Sequence, residues 1–189
     1  MNESIAKFHA EHVNFARLLD LLEAQVAAFH AGEQPDYDLM RDIVYYLRQY
    51  GDRCHHPCED VVFARLVERA PNMRLPINRH LQEHRVIANA GDDLFGKLNE
   101  AAADIPIARA ALEASAATYL VYYRHHLNVE EREVMPRAAE LLTPEDWSAV
   151  AAALPGGPDP LFGKNVETRF DELRRQIALE AGVQRTERN

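Results

Sequence analysis

The residues in this chain that could do chemistry are its nine histidines, most of which stand in tight groups beside acids. Glu11 precedes His12. The block at 55–60 reads His55, His56, Pro57, Cys58, Glu59, Asp60. His80 is followed by Glu83 and His84, and the block at 125–131 reads His125, His126, Leu127, Asn128, Val129, Glu130, Glu131. Residues four apart on a helix lie on one face about one turn apart, with ~5–6 Å between Cβ atoms. One cation, or two bridged cations, can span that distance. His55 with Glu59, His80 with His84, and His126 with Glu130 are therefore candidate chelating pairs. Neutral imidazole suits iron, copper, zinc and nickel, and a carboxylate can bridge two cations and offset their repulsion. With no cation, at least five imidazoles and two carboxylates would be buried at neighbouring positions, and each unpaired charge there costs several kcal/mol. The doubled histidines leave the register open. His56 with Asp60 can stand in for His55 with Glu59, and His125 for His126. We favour His55 because positions 55, 59, 62 and 66 share a face that ends in Val62 and Leu66. We favour His126 because Tyr119, Tyr122 and Glu130 flank it at helical spacing.

The elements that must position these groups read as helices. Asn2 or Ser4 can cap a first helix that runs to about residue 31. Its apolar stripe is Ile5, Phe8, His12, Phe15, Leu19, Leu22 and Val26, spaced by alternating threes and fours as on one helix face. A turn at 32–36 leads to a second helix over 37–70. Pro57 should kink it beside the candidate site, because proline removes a backbone donor and clashes with the carbonyl of Arg53. A third helix over 76–103 carries the stripe Ile77, His80, His84, Ile87, Gly91, Leu94 and Leu98. A fourth is expected from Asp104 as N-cap, with Pro106 in the first turn, to about 142. Thr143-Pro144-Glu145-Asp146 is a strong new start. A Gly/Pro-rich turn at 154–160 then leads to a last helix near 166–180, and the polar tail beyond Gly182 is expected to fray. Long helices joined by short turns favour antiparallel neighbours. The reading is all-α: an antiparallel up-down four-helix bundle over 1–142, and a short helical C-terminal extension with a polar tail over 143–189. The extension is expected to pack outside the bundle or to mediate a homodimer.

Composition narrows the partners. A net charge of -9 repels phosphate backbones, so nucleic acid is not expected. No apolar run approaches a membrane span. The N-terminus, MNESIAKFHAEH, lacks the apolar core and cleavage site of a signal peptide, which makes the cytoplasm the expected location. Cys54 and Cys58 are too few and too close for a disulfide framework. They read as ordinary buried thiols, with redox sensing as the alternative. Tyr119, Tyr122 and Tyr123 read as core packing, with a pocket-lining role as the alternative. Glu11 and Glu83 read as solvated acids, with orientation of a ligand imidazole as the alternative.

Taken together, Glu11-His12, the block at 55–60, His80 with Glu83-His84, and the block at 125–131 followed by Val134-Met135-Pro136-Arg137 resemble the hemerythrin-like HHE cation-binding domain family. The resemblance covers about residues 4–142. Asp159-Pro160-Leu161-Phe162-Gly163 is also similar to a tail element of bacterial members. It implies a hemerythrin-like four-helix fold and two iron ions in a carboxylate-bridged, non-haem di-iron centre. Carried over by position, the metal ligands are His12, His55, Glu59, His80, His84, His126 and Glu130, with Glu59 and Glu130 as bridges. His126-x3-Glu130 follows the wider HHE type. Oxygen-carrying invertebrate hemerythrins end in His-x4-Asp, so the difference counts against reversible oxygen carriage. Ferritin-like di-iron bundles place glutamate three residues before histidine, and no histidine here has that neighbour. The leading expectation is a metal- and ligand-binding protein, with an enzymatic role left open. Its ligand would be a small diatomic molecule, dioxygen or nitric oxide, bound for sensing, scavenging or storage. The alternatives are an iron-sulfur cluster repair or nitrosative-stress protein with enzyme-like turnover, and a structural or regulatory metal module.

Overall fold

The computed structural model describes residues 3–153 and 159–187, with side chains described as far as residue 179. All regular structure among the described residues is helical. The first long rod is α1 (Glu3–His30). The second is α2 (Tyr37–Tyr46), a π-helical segment (Leu47–His55) and α3 (His56–Arg69). A 3-10 turn (Pro71–Met73) leads to the third, α4 (Arg74–Ala102). The fourth is α5 (Arg109–Val129), a second π-helical segment (Glu130–Val134) and α6 (Met135–Leu141). Beyond them lie α7 (Pro144–Ala153), a 3-10 turn (Thr168–Phe170) and α8 (Asp171–Glu187). α1 and α4 each pack along both α2 and α5, while α3 packs on α4, α6 and α7.

The stripes expected from spacing turn inward. In α4 the buried set is Ile77, His80, His84, Ile87, Gly91, Leu94 and Leu98. In α1, Ile5, Phe8, His12, Phe15, Leu19 and Leu22 are buried, joined by Glu11, Leu18 and Leu21, with Val26 only partly covered. Two apolar clusters result. One centres on Phe15, Leu22, Ile43, Leu94 and Tyr119, and the other on Phe8, Val62, Phe63, Ile77 and Trp147. The histidine-rich level of the molecule lies between them.

Helix ends follow local chemistry. Gly32, at φ +89°, closes α1; Gly32 N–H donates to Phe29 O and Glu33 N–H to Ala28 O, the paired closure that a left-handed residue permits. The Asp36 carboxylate caps α2 by accepting from Leu39 N–H at 2.9 Å. Asp104 departs from expectation. It does not start the fourth helix but ends the third, at φ +55°, with Asp104 N–H donating to Ala101 O and Ile105 N–H to Glu100 O. Aspartate tolerates this conformation better than most residues. α5 begins only at Arg109, so Pro106 lies in the connecting loop. Ser4 lies inside α1, and the other proposed cap, Asn2, lies outside the described residues.

The helix over 37–70 is interrupted by more than a kink. Pro57 has no N–H to donate to Arg53 O, and the chain widens ahead of it: His56 N–H donates to Gly51 O, five residues back. The second π segment likewise ends just before Pro136, with Met135 N–H donating to Glu130 O. Such segments concentrate at functional sites.

The C-terminal extension packs into the core. Thr143 and Asp146 form a reciprocal cap on α7, Thr143 N–H donating to Asp146 Oδ2 at 3.0 Å and Asp146 N–H to Thr143 Oγ1 at 3.3 Å. Trp147 and Val150 of α7 join one apolar cluster, and Leu161, Phe170 and Leu173 join the other. Most of the expected Gly/Pro turn, residues 154–158, lies outside the described residues. α8 continues through Gly182 to Glu187, where fraying was expected.

Candidate metal centre

Each long rod delivers part of one buried cluster. α1 supplies His12. The first π segment ends on His55, and α3 adds Glu59 one turn on. α4 supplies His80 and His84. α5 supplies His126, and the second π segment opens on Glu130. All seven are buried, with Glu59, His126 and Glu130 fully so.

The donor atoms form two lobes. In one, His12 Nε2 and His55 Nε2 lie 3.0 Å apart, and Glu59 Oε1 is 3.1 Å and 3.0 Å from them. Glu130 Oε2 reaches the same lobe, 3.5 Å from His12 Nε2. In the other, Glu130 Oε1 lies 3.0 Å from His80 Nε2, 3.2 Å from His126 Nε2 and 3.9 Å from His84 Nε2. Glu59 Oε2 is 3.6 Å from that same His84 Nε2. Each carboxylate thus places one oxygen in each lobe. Nε2 of His80, His84 and His126, Oε2 of Glu59 and both oxygens of Glu130 find no hydrogen-bond partner among the described residues. Orphaned buried polar atoms are rare and costly. Here they converge, which is what a cation-binding donor set requires.

Behind the lobes, each of these five rings turns its Nδ1 to an outer carboxylate. His12 Nδ1 faces Glu131 at 2.6 Å, His55 Nδ1 faces Glu11 at 2.7 Å, and His84 Nδ1 faces Asp60 at 3.0 Å. Glu83 Oε2 serves two rings, 3.0 Å from His80 Nδ1 and 3.3 Å from His126 Nδ1. Donation from Nδ1–H fixes the tautomer and leaves the Nε2 lone pair for a cation. This corrects the reading of Glu11 and Glu83 as solvated acids. Glu11 is buried and also accepts from Tyr50 Oη at 2.6 Å. Glu131, unassigned from sequence, holds both His12 and the exposed His9.

The charges interlock. Burial would raise the Glu59 and Glu130 carboxyls, but the surrounding imidazoles outweigh it and hold both well below the usual carboxylate range. Burial would likewise push the imidazoles down. For His12, Glu131 and Glu59 reverse this and lift it to about 10. Asp60, Glu130 and Glu59 lift His84 to about 11, and Glu130 with Glu83 lifts His126 to about 9. The carboxylates thus favour the charged form of His12, His84 and His126.

Both members of the first histidine pair reach the cluster. Donor atoms of His12, His55, Glu59 and Glu130 lie within 4.8 Å of one another, and so do those of His56, Glu59, His84 and His126. Burial and the neighbouring His84 push His56 well below the ordinary imidazole value. His125 is not brought in; it is exposed, 3.8 Å from Glu83. Asp60 stands behind His84 rather than in the lobes. Tyr119 and Tyr123 are buried, and Tyr122 is exposed. Burial raises the Cys54 and Cys58 thiols, Cys58 to about 11, and Cys58 Sγ donates to Cys54 O at 2.9 Å.

No curated protein and no solved structure matches the chain. A family model described as the hemerythrin HHE cation binding domain matches residues 3–138. That span contains every residue of both lobes and of the outer carboxylate ring, and on it the chain belongs to the hemerythrin HHE cation-binding domain family.

Proposed function

We propose that this protein holds two iron ions in a carboxylate-bridged centre and binds a small diatomic ligand, dioxygen or nitric oxide, for sensing, scavenging or storage in the cytoplasm. The scaffold proposed is an antiparallel up-down four-helix bundle over 1–142, buttressed by the extension over 143–189. The observation that carries the reading is the two-lobed donor set shared by Glu59 and Glu130. His12 and His55 would hold one ion, and His80, His84 and His126 the other, with both glutamates bridging. Ferrous iron supplies electron-rich, exchangeable positions for such ligands. The chain supplies their surroundings. The Phe15 ring lies 4.8 Å from His55, and Phe63 lies 5.5 Å from His80 and 5.7 Å from His84. This apolar wrapping limits water and favours a small uncharged guest. A hollow lined by His9, His12, Val13, Ala16, Arg124 and Leu127, among others, opens beside His12 and offers an approach.

The test is to load the protein anaerobically with ferrous iron and add dioxygen or nitric oxide. A stoichiometric, persistent change in the optical spectrum supports ligand binding. Continuous ligand consumption with no persistent change would transfer the assignment to the enzyme-like alternative, and an inert metal to a structural module. Homodimerisation through the last helix belongs to the same proposal, and a monomer at sedimentation equilibrium would remove it.

A further inference from the structure

We infer that His56 is a sixth imidazole ligand, on the side of the centre that holds His80, His84 and His126. The inference rests on the dinuclear reading above and extends it beyond the seven residues named there. His56 shares a buried Nε2 without a hydrogen-bond partner among the described residues with His80, His84 and His126. It is buried at 3% exposure. Its Nδ1 lies 3.4 Å from Asp52 Oδ1, an oxygen that makes no hydrogen bond among the described residues. Its ring stacks on His84 at 4.2 Å with 11° between planes, and meets His126 edge-on at 5.3 Å. Its donor atom lies within 4.8 Å of those of Glu59, His84 and His126.

The packed hydroxyls of Tyr119 and Tyr123 are orphaned too, but His56 differs from them in standing among the candidate donors Glu59, His84 and His126. A buried histidine that only fills space normally satisfies both ring nitrogens, because an unmade bond there is costly. The π segment accounts for two adjacent histidines reaching one centre. His55 closes it and His56 opens α3, with His56 N–H bonded five residues back to Gly51 O. With His56 included, one side offers four imidazoles and two carboxylate oxygens. The other, at His12 and His55, offers two imidazoles and two carboxylate oxygens.

The test counts ligand imidazoles directly. Protein labelled with 15N-histidine is loaded anaerobically with two equivalents of ferrous iron, and hyperfine-shifted exchangeable imidazole N–H signals are counted by NMR. Six signals are expected in the unaltered protein. H56F should show five, and should release one iron to a chelator at least tenfold faster while its far-UV circular dichroism is unchanged. D52N keeps the ring and should shift one signal only. Five signals in the unaltered protein would overturn the proposal whether or not H56F folds, as would an unchanged count and release rate in folded H56F. Protein that takes up no iron and shows no shifted signal would remove the dinuclear reading, and the sixth ligand with it.

Discussion

The imidazoles of His12, His55, His80, His84 and His126 are each backed by an outer carboxylate, so a change at the outer acid reaches the donor atom in front of it. Glu11→Gln keeps the shape beside His55 and Tyr50 but removes the charge. Outer partners of this kind are worth ~10–100-fold in metal affinity, and a loss in that range is expected in chelator competition; unchanged affinity would deny Glu11 its role. The raised imidazoles set the pH behaviour. His12 at about 10, His84 at about 11 and His126 at about 9 hold protons that a cation must displace. Metal uptake at pH 8 should therefore release protons, read as a buffer-dependent heat in calorimetry, and apparent affinity should rise toward pH 9–11. In the metal-free protein the sign reverses. A folded value raised above the ordinary 6.5 contributes stability that is complete below 6.5 and is lost as pH climbs through 9–11. Buffer-independent heats would contradict the raised imidazole values. The four histidine blocks were legible in the sequence because they repeat at helical spacing. Glu11 was not, because its partner His55 lies on another rod and only the packing of α1 on the second rod reveals it.

At the scale of the element, one π segment ends on His55 and the other opens on Glu130, both candidate ligands. Pro57 announced a break in the sequence but not its form, since an interrupted hydrogen bond can be met by a kink or by a wider turn. Packing decides in favour of the turn at Gly51, whose missing Cβ would stand 2.6 Å from Tyr123 Oη. Gly51→Ala therefore forces either the tyrosine or the π segment to move. A loss of about 1–3 kcal/mol in stability is expected from such overpacking, together with weaker metal retention, because Gly51 O anchors His56 N–H. Equal stability in urea unfolding would show that the wide turn does not depend on this contact. The α4 stripe was fully legible, since its burial follows the three-four period without exception. The start of α5 was not. Asp104 is a good cap by residue type, yet here its tolerance of positive φ closes α4 instead.

At the scale of the whole molecule, the extension is part of the core. The Tyr46 hydroxyl donates to Asp159 Oδ2 at 3.0 Å and its ring stacks on Tyr50, which in turn donates to Glu11 behind His55. Phe162 and Phe170 close on the Tyr46 ring at 5.8 Å and 5.7 Å. Sequence patterning marked these segments as helical but could not dock them, because docking depends on which bundle face is left uncovered. Leu173 is fully buried, so Leu173→Ala should cost ~2–5 kcal/mol in urea unfolding; no loss would mean the extension is not part of the cooperative unit. The central claim, a dinuclear iron centre open to a diatomic ligand, is tested most directly by elemental analysis of anaerobically purified protein, with an optical spectrum before and after oxygen. Two irons per chain and a new oxygen-dependent charge-transfer band are expected. Zinc in their place, or no metal bound after reconstitution with iron, would contradict it.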